Sequence, residues 1–433
     1  MDDRTQLRNL IFGLSLGGAT AALAIVFMLI VAATQPAQAQ TFNVLYNFTG
    51  AADGKNPYAG LTMDKAGNLY GTASAGGLYG GNCHNLGCGT VFRLSHAGWG
   101  WLFTPLYTFQ GGDDGATPVA RVIFGPNGTL YGTTSALPGC CLDTVFNLRP
   151  RPRACTAARC PWTETSLYTF SGGADGAFPE FGDLIFDQTG NIYGTTASGG
   201  NGLGVVYELA PSGSGWTQSI LYTFTRPDGA RPQNGVVFDN AGNLYGTTLT
   251  GGNLDCNDGY GCGAIFQLTP AGSGWVEHVL YTFQKGSDGT APYAGLTFDP
   301  SGNLYGTTST GGTGGGGTVF KLTPSNGSWT YSLVYSFTGR ADFNCGPWGT
   351  LVMDGAGNLY GTTVCDGANR AGNVWELTPS ENGWTYTSLH DFTGGSDGAE
   401  GYCKVSFDPE GNLYGTTFRG GSDDVGVIWE ITP

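Results

Sequence analysis

Six Asp-Gly pairs recur along the chain, at Asp53, Asp114, Asp175, Asp228, Asp288 and Asp397. A ring of carboxylates would suit a cation. Asp-Gly is equally a turn signature, in which Asp bonds local backbone and Gly supplies positive φ. One metal site has no need of six equivalent copies, so these pairs read as turns, and no metal or cofactor is expected. A second set of aspartates (Asp64, Asp187, Asp239, Asp299, Asp354 and Asp408) heads a D-x-x-G-N string and reads as a hairpin turn. Gly125 takes that place in one copy, in keeping with a structural role. Nucleophile elbows and H-E-x-x-H strings are missing, and there are four histidines: His84, His96, His278 and His390. Two off-pattern carboxylates, Glu180 and Glu400, are the candidates for a paired-carboxylate hydrolase or lyase.

These residues sit in a repeat. The string G-N-L-Y-G-T-T carries tyrosines at 70, 131, 193, 245, 305, 360 and 414, spaced 61, 62, 52, 60, 55 and 54 residues apart. Each unit reads as four strands: L-x-F-D, then L-Y-G-T-T, then V-F-x-L, then a strand from Trp to L-Y-x-F. In the last strand Trp275, Tyr281 and Phe283 have even offsets, which predicts one shared face. Seven such units across residues 40–433 predict an all-β, seven-bladed β-propeller with four antiparallel strands per blade. Val44–Phe48 reads as a fourth strand without its first three, and Val427–Ile431 as a third without its fourth. The N-terminal strand is therefore expected to complete the C-terminal blade and close the ring.

In that arrangement the fourth-to-first and second-to-third connections share the rim with the longer loops, where binding groups usually sit. The position after the proline preceding each first strand reads Tyr58, Val119, Glu180, Gln233, Tyr293, Trp348 and Tyr402. In a closed ring Tyr293, Trp348, Tyr402 and Tyr58 form an aromatic arc at the mouth of the central channel, with Glu180 and Gln233 across from it. Such a surface suits a sugar or another flat, weakly charged ligand; the alternative is packing between blades. Arg121 and Lys404 take a position that is Gly in three units, as channel plugs or ligand contacts.

Composition narrows the class. Glycine numbers 76 of 433 residues, charged residues 12% and aromatics 13%, which excludes collagen, disorder and long-helix proteins. A net charge of −15 disfavours nucleic acid and anionic membranes. Residues 1–39 read as a secretory signal peptide ending in Ala37-Gln38-Ala39, or an uncleaved anchor, which would be the sole membrane contact. Either leaves residues 40–433 as one extracytoplasmic propeller: secreted, periplasmic or on the cell surface. Eleven cysteines fit an oxidising compartment. Cys83–Cys88, Cys155–Cys160, Cys256–Cys262 and Cys345–Cys365 are the expected pairs, with Cys140, Cys141 and Cys403 unassigned. Zinc ligation is the weaker alternative. Asp255, Asn257 and Asp258 form an incomplete calcium-like ladder, and Arg149-Pro150-Arg151-Pro152-Arg153 is a lone basic cluster.

The full unit, with its L-Y-x-F strand, D-G-x-x-P segment and G-x-V-F-x-L-T-P strand, resembles the tandem repeat of choice-of-anchor GloVer-containing bacterial proteins. That resemblance implies an exported or surface protein and brings no catalytic residues. The expected function is a non-enzymatic, monomeric propeller that binds a glycan or an extracellular protein. A secreted hydrolase or lyase and a purely structural surface protein are the alternatives.

Overall fold

Each D-x-x-G-N string makes a hairpin that its aspartate locks. In one blade the Asp354 carboxylate accepts from the Ala356 and Asn358 amides, from Asn358 Nδ2 and from the Tyr360 hydroxyl, at 2.8–3.1 Å. Burial alone would raise this carboxyl, but the Asn358, Ala356 and Tyr360 hydrogen bonds outweigh it and hold it below its ordinary value. Where Gly125 replaces the aspartate, Asn127 takes over, donating to the Tyr131 hydroxyl at 3.0 Å and accepting from Thr129. The hairpin therefore survives the loss of the charge.

The Asp-Gly pairs are corners. Asp288 accepts from the Tyr281 hydroxyl of the preceding strand at 2.9 Å and from the Gln284 amide at 2.8 Å. Asp53, Asp114, Asp175 and Asp228 repeat this with Tyr46, Tyr107, Tyr168 and Tyr222. In the last copy His390 stands in for the tyrosine, its Nε2 lying 3.0 Å from Asp397 while its ring stacks on Phe42. The carboxylates thus fasten each fourth strand to the loop that leads into the next blade.

A computed structural model describes residues 40–77, 83–98, 100–135, 141–151, 162–339 and 345–433. The N-terminal segment read as a signal peptide, Cys140, Cys155 and Cys160 lie outside them. The compact unit runs from Phe42 to Thr432. It is a seven-bladed β-propeller of four-stranded antiparallel sheets, with two short 3-10 turns among the described residues, His84–Leu86 and Asn257–Gly259. Blade 5 is representative: Thr297–Phe298, Leu304–Thr308, Thr318–Ser325 and Ser328–Ser336, from the axis outward. Blade 7 takes its first three strands from Ser406–Phe407, Leu413–Thr417 and Val427–Thr432, and its outermost from Thr41–Asn47. The ring closes as the repeat predicts.

The apolar clusters lie between blades. Tyr305, Val319 and Phe337 of blade 5 pack on Leu351, Leu359, Trp375 and Leu377 of blade 6. Each buried aromatic contributes about 2–3 kcal/mol by leaving water. The glycine of L-Y-G-T-T makes room for one of them: a Cβ on Gly306 would sit 2.5 Å from Phe320 Cζ. Beside it, the first threonine reaches the next blade. Thr72, Thr133, Thr195, Thr247, Thr362 and Thr416 donate to the carbonyls of Ala120, Pro179, Asn234, Ala294, Cys403 and Ala59, at 2.7–3.0 Å. The last bond crosses the closure.

One strand expectation is corrected. Trp275 packs with Phe266 and Leu268 on one side of blade 4, while Tyr281 and Phe283 pack with Ile265 on the other. The cause is a β-bulge: Ile265 faces Tyr281 and Phe266 faces Val279, which leaves Leu280 unpaired. An extra residue in one strand reverses the alternation beyond it. The same shift occurs in blades 1, 2, 3, 5 and 6.

Before each bulge, one inward position varies between blades. In blade 3, Gln218 donates to the Asp175 carbonyl at 2.7 Å and accepts from the Tyr168 hydroxyl at 2.9 Å. Blade 4 has Glu277 there, with Oε1 buried and without a partner. Burial, with Asp228 nearby, pushes the Glu277 carboxyl up to about 7. The raised folded value means that stability present below about pH 4.5 is lost as the pH rises through 7. Glu277→Gln restores the blade 3 pattern. It should stabilise the protein by about 1 kcal/mol at pH 8, the worth of one hydrogen bond. The gain should vanish at pH 4, as urea denaturation at the two pH values would read.

Candidate functional site

The inner loops that enter the first strands build the axis. Their first residues hold left-handed backbone: Asn56, Thr117, Phe178, Arg231, Ala291 and Glu400 have φ of 55–59°. Each is pinned from two sides, as where the Ala291 amide donates to the Cys262 carbonyl of blade 4 and its own carbonyl accepts from Ser309. Such strain persists where surrounding contacts over-determine it. It aims the next residues down the channel, and the two-residue period of extended backbone makes two layers.

The upper layer is aromatic. Tyr293 stacks on Trp348 with centroids 3.8 Å apart and planes 10° apart. Tyr58 stacks on Tyr402 at 4.4 Å, and Trp348 meets Tyr402 edge-on at 5.1 Å. The structure brings these four residues together, each ring half-buried. Phe181 joins them from blade 3, its centroid 5.0 Å from Tyr58 and 6.3 Å from Trp348.

Glu180 and Gln233 do not stand across from the rings. Blade 3 has one extra residue between Pro179 and Leu184, so Phe181 faces the axis where the sequence alignment placed Glu180. Gln233 is buried and donates to Glu180 Oε2 at 2.6 Å, and neither lines the axial cavity. Burial raises the Glu180 carboxyl above its ordinary value, against Arg231 and Gln233, which lower it. Glu400, the other carboxylate of the candidate pair, lies 3.5 Å from Arg419 Nε and accepts weakly from the Tyr402 hydroxyl at 3.4 Å.

The lower layer is charged. Arg121 Nε and Nη2 both donate to Asp183 Oδ2, at 3.1 and 2.6 Å, and Lys404 Nζ lies 3.9 Å from the same oxygen. Asp183 went unrecognised in the sequence reading because the extra residue displaces it by one; the changed spacing after Pro179 was the available signal. Thr350 and Asn234 complete the layer. The Thr350 hydroxyl donates to Asn234 Oδ1 at 3.4 Å and accepts the Gly295 amide at 2.9 Å. Burial and Arg121 push Lys404 down to about 8, with Asp183 opposing them. Neighbouring inner loops touch here through glycine: a Cβ on Gly60 would lie 1.9 Å from the Lys404 carbonyl oxygen. The two layers line a cavity of about 30 Å³.

A larger groove, about 450 Å³, opens on the same rim between blades 4 and 5. Thr250, Asn257, Lys285, Thr290 and Thr310 supply its polar lining, and Tyr293 belongs to both spaces. The Cys256–Cys262 disulfide shapes its edge. Cys83–Cys88 and Cys345–Cys365 also form, both in rim loops. Cys141 Sγ approaches Cys83 Sγ to 3.5 Å, and Cys403 is a buried free thiol. Among the described residues no group of three or more His, Cys, Asp or Glu could hold a metal. In the basic insertion, Arg149 and Arg151 bond locally to Asn147 and Thr163.

The repeats, closure and axis define a tandem-repeat seven-bladed β-propeller. Residues 256–433 match the Gloeobacter/Verrucomicrobia repeat, and that part of the chain is built of this repeat, in line with the GloVer resemblance of the sequence units. No curated protein matches the chain. Among solved structures, it is similar to the extracellular domain of a protein described as a hybrid two-component system from B. thetaiotaomicron. The identity there is 11% and the TM-score 0.50, over 91% of this chain and 41% of that one. A protein of unknown function from Dyadobacter fermentans matches at 11% identity and TM-score 0.47, over 91% of this chain and 98% of the other. A Trichoderma reesei carbohydrate-active enzyme of family AA12 matches at 12% and 0.43, over 87% and 97%. At these identities the likeness is one of fold.

Removing the carboxylate from the lower layer leaves two cations facing each other. Asp183→Asn should destabilise the protein by about 2 kcal/mol, less than a fully buried pair loses because the layer keeps some contact with water. Adding Lys404→Gln should recover most of that loss, since the two changes share one interaction. Urea midpoints of the single and double variants measure the coupling.

Proposed function

We propose that this chain is an exported, non-enzymatic propeller that binds a glycan on the rim carrying the longer loops. The observation that supports this most is the continuity of two surfaces through Tyr293. On one side lie the stacked rings of Tyr293 and Trp348; on the other lies the groove with its hydroxyls, the Asn257 amide and the Lys285 ammonium. Sugars present apolar C–H faces and ringed hydroxyls, which this pairing of aromatic and polar groups complements. At about 450 Å³ the groove falls within the range of small-ligand sites.

Binding is favoured over hydrolysis by where the carboxylates are. The groove lining holds none, and the axial cavity holds Asp183, which is engaged by Arg121 and Lys404. Glu164 and Glu277, both pushed up to about 7 by burial, lie on outer strands. The disulfides Cys83–Cys88, Cys256–Cys262 and Cys345–Cys365 agree with an oxidising compartment outside the cytoplasm. No helix among the described residues is long and apolar enough to cross a membrane.

Glycan-array screening of the wild type, followed by calorimetry on any hit, tests the reading. Tyr293→Ala should lower the affinity at least tenfold while the melting temperature stays within a few degrees. Affinity unchanged in that variant, or an array without hits, would sink it. Glycan cleavage abolished by Glu180→Gln would favour the hydrolase alternative instead.

A further inference from the structure

The lower layer of the axis carries one more positive charge than negative. Arg121 is satisfied, with two of its donors on Asp183. Lys404 is not. Its Nζ stands 3.9 Å from Asp183 Oδ2, beyond hydrogen-bond reach, and among the described residues it has no hydrogen-bond partner. An ammonium has three N–H donors. The side chain is 31% exposed, so water or a ligand in the space before it can take those donors.

That space is the axial cavity, which Lys404, Arg121, Asp183, Asn234 and Thr350 line together with the rings above. At about 30 Å³ it holds about two waters, each of which needs 10–15 Å³. The two oxygens of a carboxylate have the same footprint as those waters. A carboxylate here would balance two cations with two anions. It would also give the Lys404 ammonium a charge-assisted acceptor, the stronger kind of hydrogen bond. A cation would worsen the imbalance, and a neutral group would leave it. The rings line the same cavity, which suits a carboxylate that ends a small acid or projects from a sugar ring.

We infer that the axial cavity is a carboxylate site, with Lys404 and Arg121 as its cationic ligands and the five-ring aromatic layer as its entrance. Its occupant is either a free small organic acid or the uronate group of a glycan. The second case rests on the glycan reading; the first stands without it.

The test titrates the wild-type protein with sodium acetate against sodium chloride at constant ionic strength. Calorimetry, the melting temperature and the Lys404 Cε and Nζ resonances are followed. Acetate should bind in the millimolar range, raise the melting temperature and move the Lys404 titration midpoint upward. Lys404→Gln should lower the affinity at least tenfold, and Lys404→Arg should restore much of it. No difference between acetate and chloride in any readout overturns the inference, as does acetate affinity unchanged in Lys404→Gln. If Lys404→Gln fails to fold, the wild-type Lys404 resonances decide alone. Trigalacturonate and a neutral trisaccharide form the second arm. Trigalacturonate and acetate both dependent on Lys404 identify a uronate site, and acetate alone a free-acid site. A neutral glycan that binds equally to wild type and Lys404→Gln, with acetate silent, keeps the glycan reading and removes this one.

Discussion

The propeller depends on a hydroxyl-to-carbonyl bond that six of the seven blades extend to the next. The first threonine of L-Y-G-T-T sits in the second strand and donates to the inner loop of its neighbour. That loop carries the axial residues, so the bond ties the frame of one blade to the site-forming segment of the next. It is buried and directional, which gives it a role that apolar packing lacks. Clusters such as Tyr305, Val319 and Trp375 hold blades together, and the threonine fixes their register. Blade 5 is the exception: Thr307 Oγ1 is buried without a partner. Its neighbour there is blade 6, whose inner loop carries Gly349 and Thr350, and where Thr350 bonds the Gly295 amide instead.

The fold was legible because every blade repeats the same requirements. Tyrosine spacing, turn aspartates and strand pattern each occur several times over, so chance departures in one copy, such as Gly125, do not hide the rule. The bulge was not legible. Parity along Trp275, Tyr281 and Phe283 assumes an unbroken strand, and no residue type at Leu280 marks the unpaired position. The bulge follows from how the fourth strand must twist to follow the third, a property of the pair and not of either sequence.

The axis was half legible. Tyr58, Tyr293, Trp348 and Tyr402 were found because they depart from one column of the repeat. Glu180 was assigned to that column by counting from a proline, and counting fails when a loop gains a residue. Phe181 and Asp183 are what the longer loop delivers to the axis. The groove beside Tyr293 arises from two loops of different blades, with residues that share no motif. Pairings within or across short loops, such as Cys256–Cys262 and Cys345–Cys365, needed only proximity along one blade, and sequence sufficed for them.

The strand exchange in blade 7 has a kinetic corollary. Thr41–Asn47 pairs with Val427–Thr432, so its partner is made after the strands of the six other blades. A chain emerging from a ribosome or an export pore holds its first strand unmatched until almost everything else has appeared. During that interval it is a loose β-edge, able to pair with another chain as readily as with its own end. Blades built from consecutive strands can form in the meantime, and closure is a single late event that converts an open arc into a ring without ends.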